Sequence, residues 1–427
     1  ITGLSGLSDT ITTRYAYDAM DRLTNVVQLT NGAQSATAAY AYNVQGQMNL
    51  KTCGNGDTVS GRFDRESRLL SLGITNNGAL VRYYGYQWNP GSQITAITNS
   101  DGAGAGVSQV TTYAYDAAGQ LTNETIVGGA TTSWTYDEAG NWLNADASSQ
   151  WVYNQDNEIV GRVDAGASPW TNLTVTGQVE PGPASNKWYN SWAECRGARA
   201  PVNTNDGTFS LPDVPVYPGA NPLVVSVWHV SGNLSRQTVN VTHDTVTPSE
   251  TFRHDGNGNL TNWVSGAENW TCEWDWADRL TKVSSNPDRA GAGGVVLLQN
   301  WYDANSRRIA KQEFVGGVTK KWLYLYDGWD IVGVMDETGA IQETFTRGVG
   351  LAGDIGTLVA VTHHTGPSAG TYYTHHNHRG DIVLVRNGTT TTGTYDYSAF
   401  GKLATSTGTD LCRFKFSSKE REASCGL

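Results

Sequence analysis

One seven-residue pattern recurs along the chain and constrains its folding more than any other feature. It runs aromatic (once His), Asp or Asn, three variable residues, a polar residue, then usually a large apolar one. The copies run from Tyr17-Asp18 to Leu23, Tyr42-Asn43 to Met48, Phe63-Asp64 to Leu69 and Trp88-Asn89 to Ile94. Tyr115-Asp116, Tyr136-Asp137 and Tyr153-Asn154 follow, and after a gap come His254-Asp255, Trp274-Asp275 and Tyr302-Asp303, with Tyr326-Asp327 as a degenerate eleventh. Within each block the copies start 17 to 28 residues apart. That scatter is too irregular for a tight solenoid or for the constant blades of a β-propeller.

Each unit has a legible chemistry. Aromatics alternate before the Asp or Asn, as in Tyr15/Tyr17, Tyr40/Tyr42 and Tyr84/Tyr86/Trp88. Residues two apart share one face of a strand, so each run is an aromatic stripe. An Asp or Asn side chain folds back onto backbone N–H groups two residues on and starts a turn. Gly46, Gly119, Gly140 and Gly258 stand three residues later, where a positive φ is tolerated. Each unit therefore reads as strand–turn–strand, and the series as a long antiparallel meander. The turn positions are Asp18, Asn43, Asp64, Asn89, Asp116, Asp137, Asn154, Asp255, Asp275 and Asp303. Asn cannot act as a general acid or base, so its exchange with Asp argues for a turn role over a catalytic one. Composition agrees, with 49 Gly, 20 Tyr, 15 Trp and only 16% charged residues. That mixture suits short strands and tight turns better than long helices.

The tyrosine–aspartate units resemble the YD repeats of the RHS (rearrangement hotspot) and teneurin family. Three motifs near the C-terminus strengthen the resemblance. They are His376-Asn377-His378-Arg379-Gly380-Asp381, then Tyr397-Ser398-Ala399-Phe400-Gly401, then Phe414 to Glu420 followed by Gly426-Leu427. Their order is similar to the start of the RHS-associated core, with His378, Gly380, Asp381, Tyr397, Phe400 and Gly401 as its motif residues. The resemblance implies an all-β fold: an antiparallel YD-repeat β-hairpin spiral shell, open or partial, around a hollow interior. It implies a structural role, walling off or presenting a C-terminal toxin or effector domain of the same polypeptide. The family's autoproteolytic aspartates would lie beyond Leu427, so no catalytic residue is carried over and no enzyme activity is expected.

The organisation follows the repeats. Residues 1–164 read as a first shell segment and 251–359 as a second, with 360–427 as a truncated start of the core. Between them, 165–250 holds nine of the twelve prolines and β-branched runs such as Leu223 to Val230. This segment reads as a small inserted Ig-like β-sandwich. Hairpin dipeptides are expected at Asn31-Gly32, Asn77-Gly78, Asp101-Gly102 and Asn387-Gly388.

The remaining signals are weaker. A net charge of −11 disfavours nucleic acid, and no apolar run is long enough to span a membrane. Ile1 to Thr10 lacks a signal-peptide pattern, and the chain reads as excised from a longer, secreted or cell-surface bacterial protein. The five Cys show no metal spacing. Five of the eight His fall within residues 363–378, and His376 and His378 could share a strand face as metal ligands. The competing reading makes them part of a turn motif, and no cofactor is expected. Arg379-Gly380-Asp381 matches an adhesion tripeptide but sits inside that same motif. A second functional reading makes the chain a carbohydrate-binding or adhesion module recognising a cell-surface glycan or protein, its aromatic stripes stacking on sugar rings.

Overall fold

The computed structural model describes all residues except 1–9, 103–108, 147–148, 155, 165–170, 180–190, 217–218, 230–233, 244–247, 286–293, 316, 351–356 and 426–427. The expectations for Pro169, Pro181, Pro183, Pro218 and Gly426-Leu427 fall outside the described residues. Elsewhere the chain is antiparallel β throughout, and its longest helical element is the three-residue 3-10 turn Phe416–Ser418. Among the described residues no helix is long and apolar enough to cross a membrane.

The chain divides into two compact units. The first comprises Ile1–Ser133, Cys272–Ser285 and Gly291–Leu427. Its N-terminal part is an eleven-stranded meander in strict sequence order, from Ile11–Tyr17 to Thr131–Ser133. Its C-terminal part is a second meander, from Leu280–Ser285 to Leu403–Gly408, also in sequence order. Strict order follows from the hairpin units, since each strand pairs with the one its turn delivers.

These two sheets face each other, and side chains fill the space between them. Leu23, Val26, Ala36, Ala38 and Tyr40 pack on Val359, Ala360 and Tyr373. Leu72, Ile74, Tyr84 and Tyr86 pack on Val383 and Leu384. The strands Leu358–His363 and Ile382–Asn387 are buried on both faces, because Cys412 and Phe414 cover their other side. The resemblance implies a hollow, but between these strands the wall is doubled and solid. Gly54 marks how close the sheets come, since a Cβ there would lie 2.4 Å from the Tyr373 hydroxyl.

The second unit comprises Trp134–Thr271 and Asn286–Ala290. In it the strands Ser149–Tyr153, Ile159–Asp164, Glu250–His254 and Leu260–Ser265 form a continuous ladder. Gly161 pairs directly with Thr251, so the ladder passes straight from 164 to 250. The intervening residues form a two-stranded sheet (Thr171–Gln178 with Thr208–Val216) and a four-stranded one. The two enclose a core of Ala193, Cys195, Leu211, Val214, Leu223 and Val225.

Two turn expectations need correction. Tyr326-Asp327 is not a repeat turn: Asp327 pairs with Asp330 across a tight Gly328-Trp329 hairpin. At Asn387-Gly388, Asn387 pairs with Thr390, so Gly388-Thr389 turns the chain and Asn387 remains in the strand. Asn31-Gly32 and Asn77-Gly78 both have the paired positive φ values of a type I′ hairpin.

Candidate functional site

All ten sequence-predicted turn residues occupy one geometry. The backbone N–H of each donates to the carbonyl four residues on, at 2.9–3.1 Å, and its own carbonyl accepts the N–H three residues on. One side-chain oxygen accepts the N–H four residues on, at 2.8–3.1 Å in every copy. The residue three on has positive φ, whether Gly (Gly46, Gly119, Gly140, Gly258) or Asp, Ser or Asn (Asp21, Ser67, Ser92, Asn157, Asp278, Ser306).

The second side-chain atom of the turn residue explains the exchange of Asp with Asn. Where Asp stands, a donor lies four residues on: Arg22, Arg68, Gln120, Asn141, Asn259, Arg279 or Arg307. Where Asn stands, its amide donates to an acceptor: Gln47 at 2.7 Å, Gln93 at 2.8 Å and Glu158 at 2.6 Å. Each cap is thus matched to its partner. The carboxyls of Asp18, Asp64, Asp255, Asp275 and Asp303 lie below their ordinary range. Side-chain hydrogen bonds are the main cause at 18, 255 and 275, and the Arg307 N–H at 303, while at Asp64 the Arg68 bonds outweigh burial.

The repeats also clasp one another, which sequence reasoning missed. The strand register shifts at the aromatic before the turn, as at Tyr17, Tyr42 and Trp88. In several copies an aromatic of a neighbouring repeat bonds the carbonyl just after the turn. Tyr42 donates to Leu23 O at 2.8 Å, Trp88 Nε1 to Leu69 O at 2.9 Å, and Tyr115 to Ile94 O at 2.8 Å. Tyr153 reaches Trp142 O, Tyr302 reaches Leu280 O, and Tyr397 reaches Ile382 O. The turn's Arg stacks under the same ring: Arg22 on Tyr42 at 4.6 Å and Arg279 on Tyr302 at 5.0 Å. The signal was present as an aromatic with a polar tip at most starts and, in four copies, Arg at the sixth position.

The core-like motifs turn out to be further copies of the turn. Asn377 caps Arg379 N and Asp381 N, with Gly380 at positive φ, and its amide donates to Asp381 Oδ2 at 2.7 Å. Ser398 repeats the geometry towards Lys402, with Gly401 at positive φ. Asp336 with Gly339 is a complete copy, and Lys415 to Lys419 has the same backbone bonds. Lys415 has no oxygen with which to cap. Asp381 supplies it instead, accepting Ser417 N–H at 2.8 Å while also holding Arg379. Arg379 in turn donates to Ala399 O at 2.6 Å and lies over Phe416. Asp381 is fully buried and engaged, so the Arg-Gly-Asp tripeptide is an internal knot of three turns. Phe400 sits at a turn tip and is 49% exposed.

His378 packs its ring on Tyr86 at 4.9 Å, and His376 is buried near Lys51 and Arg347. Burial pushes both imidazoles down, His378 to about 4, so both are neutral at pH 7. Among the described residues no group of three or more His, Cys, Asp or Glu is placed to hold a metal ion.

Two buried charge clusters went unread in the sequence because most of their partners come from distant parts of the chain. Asp57 accepts His375 Nε2 at 2.8 Å, Arg386 Nε at 3.0 Å and Asn76 at 2.7 Å, bonding the two sheets of the first unit. Lys311 meets Glu313, Glu420 and Glu422 at 2.7–2.9 Å, Arg308 pairs with the latter two, and Arg413 bridges Glu420 and Glu343. Burial alone would raise the Glu420 carboxyl, but the Arg413, Lys311 and Arg308 cations outweigh it and bring it down to about 2.

The family model for the RHS Repeat matches residues 115–148, the stretch holding the turns at Asp116 and Asp137. The chain carries an RHS repeat. No curated protein matches it. Among solved structures, a crystal structure of TcdB2-TccC3 is 13% identical, with 99% of this chain and 29% of that one covered and a TM-score of 0.31. A mutant Tc holotoxin pore from Photorhabdus luminescens is 14% identical (97% and 27% covered, TM-score 0.31). A porin-like protein from Bacteroides uniformis is 12% identical (66% and 92% covered, TM-score 0.21). The chain therefore spans less than a third of the length of those two solved chains.

Proposed function

We propose that this RHS-repeat chain is a non-catalytic wall segment of a secreted or cell-surface bacterial protein, and that the intact protein uses such walls to enclose or present a C-terminal effector. The supporting observation is the repeat-to-repeat clasp. Each turn is capped internally, and many are then bonded to a neighbouring repeat by an aromatic donor and, in several copies, a stacked Arg. Such a ladder resists bending at its turns, which a container needs and a catalyst does not. On this reading 165–250 is a module inserted into the wall, and 360–427 is the segment where the wall is doubled.

The test is protease protection of the region that follows this segment in the full-length protein. Enclosure predicts protection in the parent and exposure after Asp381→Ala unties the three-turn knot. Equal cleavage of both proteins in their folded state would remove the container reading.

A further inference from the structure

The five cysteines divide by exposure. Cys53, Cys195 and Cys412 are buried, Cys272 and Cys425 only half-buried, and all five are thiols in this structure. The two accessible ones are far apart in sequence yet belong to the same compact unit.

Strand register places Cys272. It lies in the strand Glu268–Trp274, two residues before the aromatic of the capped turn at Asp275. At the equivalent turns the residue in that place has a fixed partner: Tyr15 faces Val26, Tyr40 faces Lys51, Gly61 faces Leu72 and Tyr86 faces Ile97. The same register sets Cys272 opposite Val283, and the 2.8 Å ion pair of Glu273 with Lys282 fits it. Val283 faces Leu298, and Leu298 faces Glu313. Paired residues project from the same side of a sheet, so Cys272 and Glu313 stand at the two ends of one row.

The C-terminal segment lies on that side. Glu420 and Glu422 are gripped by Arg308 and Lys311. Beyond Glu422 the hold loosens. Ser424 meets Glu313 through its N–H and its hydroxyl at 3.4 Å, and Cys425 N–H meets the Glu422 carbonyl at 3.4 Å. Three residues can span about 10 Å, which lets the Cys425 thiol travel along the row. It already stands close enough to act on Cys272: burial first, and then the Cys425 thiol, push the Cys272 thiol up to about 11.

We propose that Cys272 and Cys425 form a disulfide that locks the C-terminal segment onto the strand Glu268–Trp274. The oxidant is a small disulfide such as oxidised glutathione. The Cys425 thiolate attacks one glutathione sulfur and expels the other as a thiolate. The Cys272 thiolate then attacks the Cys425 sulfur and expels the second glutathione. The two cysteine thiols lose two electrons and two protons, and the small disulfide takes up both to leave as two thiols. The proposal is independent of the wall function and survives its failure.

The test incubates the whole folded chain with oxidised glutathione at about pH 8.5, where thiolates form, and maps its peptides without reduction. A Cys272–Cys425 cross-link is expected, lighter by two hydrogens than the two thiol peptides together, and the thiols of the denatured chain should fall from five to three. A cross-link restricts the unfolded chain, so the oxidised protein should melt about 3 °C higher. Cys272→Ser and Cys425→Ser should each remove that rise. The peptide map of the unmodified protein needs no variant. Five retained thiols, glutathione left on either cysteine without a cross-link, or a link that forms only in urea-unfolded protein would overturn the proposal.

Discussion

The matching of Asp with donors and Asn with acceptors is tested most directly at Asn154. Its Oδ1 caps Asp156 N–H at 3.0 Å and Glu158 N–H at 2.9 Å, while its amide donates to Glu158 Oε2 at 2.6 Å. Asn154→Asp keeps the cap but turns the donor into a second carboxylate facing Glu158. Two like charges about 4 Å apart repel by about 1 kcal/mol in water and about 4 kcal/mol at an effective dielectric of 20. The Glu158 side chain is 21% exposed, which places it between those limits. The hydrogen bond to a charged acceptor, worth about 1.5–3 kcal/mol, is lost as well. Side-chain rotation relieves part of both, so the expected cost is about 2–3 kcal/mol. Urea unfolding followed by tryptophan fluorescence should show a lower midpoint with an unchanged slope. Adding Glu158→Gln should restore stability to within about 0.5 kcal/mol by copying the Asp116–Gln120 pair, in which the amide donates at 3.2 Å. Gln is chosen over Arg because His254 Nδ1 lies 3.9 Å from Glu158. A single variant as stable as the parent, or a double variant no better than the single, refutes the matching rule.

Three other outcomes follow. Tyr302→Phe removes the 2.8 Å bond to Leu280 O but keeps the ring over Arg279, so it should cost about 1 kcal/mol and speed amide exchange nearby about five-fold. Tyr17→Phe, 59% exposed, should leave exchange unchanged, and equal effects would contradict the clasp. Gly401→Ala places a Cβ 2.5 Å from the Phe416 ring at a φ of +86°, so a loss of about 2–4 kcal/mol is expected in thermal melts. The acid response has two parts with one sign. Burial holds His375, His376 and His378 below their ordinary 6.5, so the unfolded chain binds more protons as pH drops below that value. Glu420, at about 2, stabilises the fold above its ordinary 4.5 and loses that contribution as pH falls towards 2. Stability should therefore decline continuously from about pH 6.5 downward, with a slope of up to about 1.4 kcal/mol per pH unit per group. A flat profile between pH 6.5 and 4 would contradict the buried neutral histidines.

The turns were legible because their chemistry is local: the cap, the positive φ and the matched partner all lie within five residues. The copies at Ser398 and Lys415 went unread as repeat turns because neither has Asp or Asn at the cap: Ser398 caps with a hydroxyl, and Lys415 borrows its cap from Asp381. Asn377 fits the pattern, but its place in the C-terminal motif drew the reading towards that motif. Tyr326-Asp327 misled for the opposite reason, since the dipeptide is present but Gly328 closes a tighter hairpin. The buried clusters around Asp57 and Lys311 could not be read at all. Their decisive partners lie far along the chain, His375 318 residues from Asp57 and Glu422 111 from Lys311, and such pairing carries no periodicity.

The clasp also accounts for the irregular repeat spacing. In a meander, successive hairpin connections alternate between two edges of the sheet, and the capped turns at 18, 43, 64, 89 and 116 all fall on one of them. A clasp needs only that the next aromatic return two strands later, so the length of the intervening connection on the other edge is unconstrained. That freedom absorbs the scatter of 17 to 28 residues. It also absorbs the segment between Asp164 and Glu250, which leaves and re-enters on the edge opposite the turns at Asn154 and Asp255, while Gly161 still pairs with Thr251. A wall built this way can accept whole modules on one edge without loosening the bonds on the other, because the capped and uncapped connections never share an edge there.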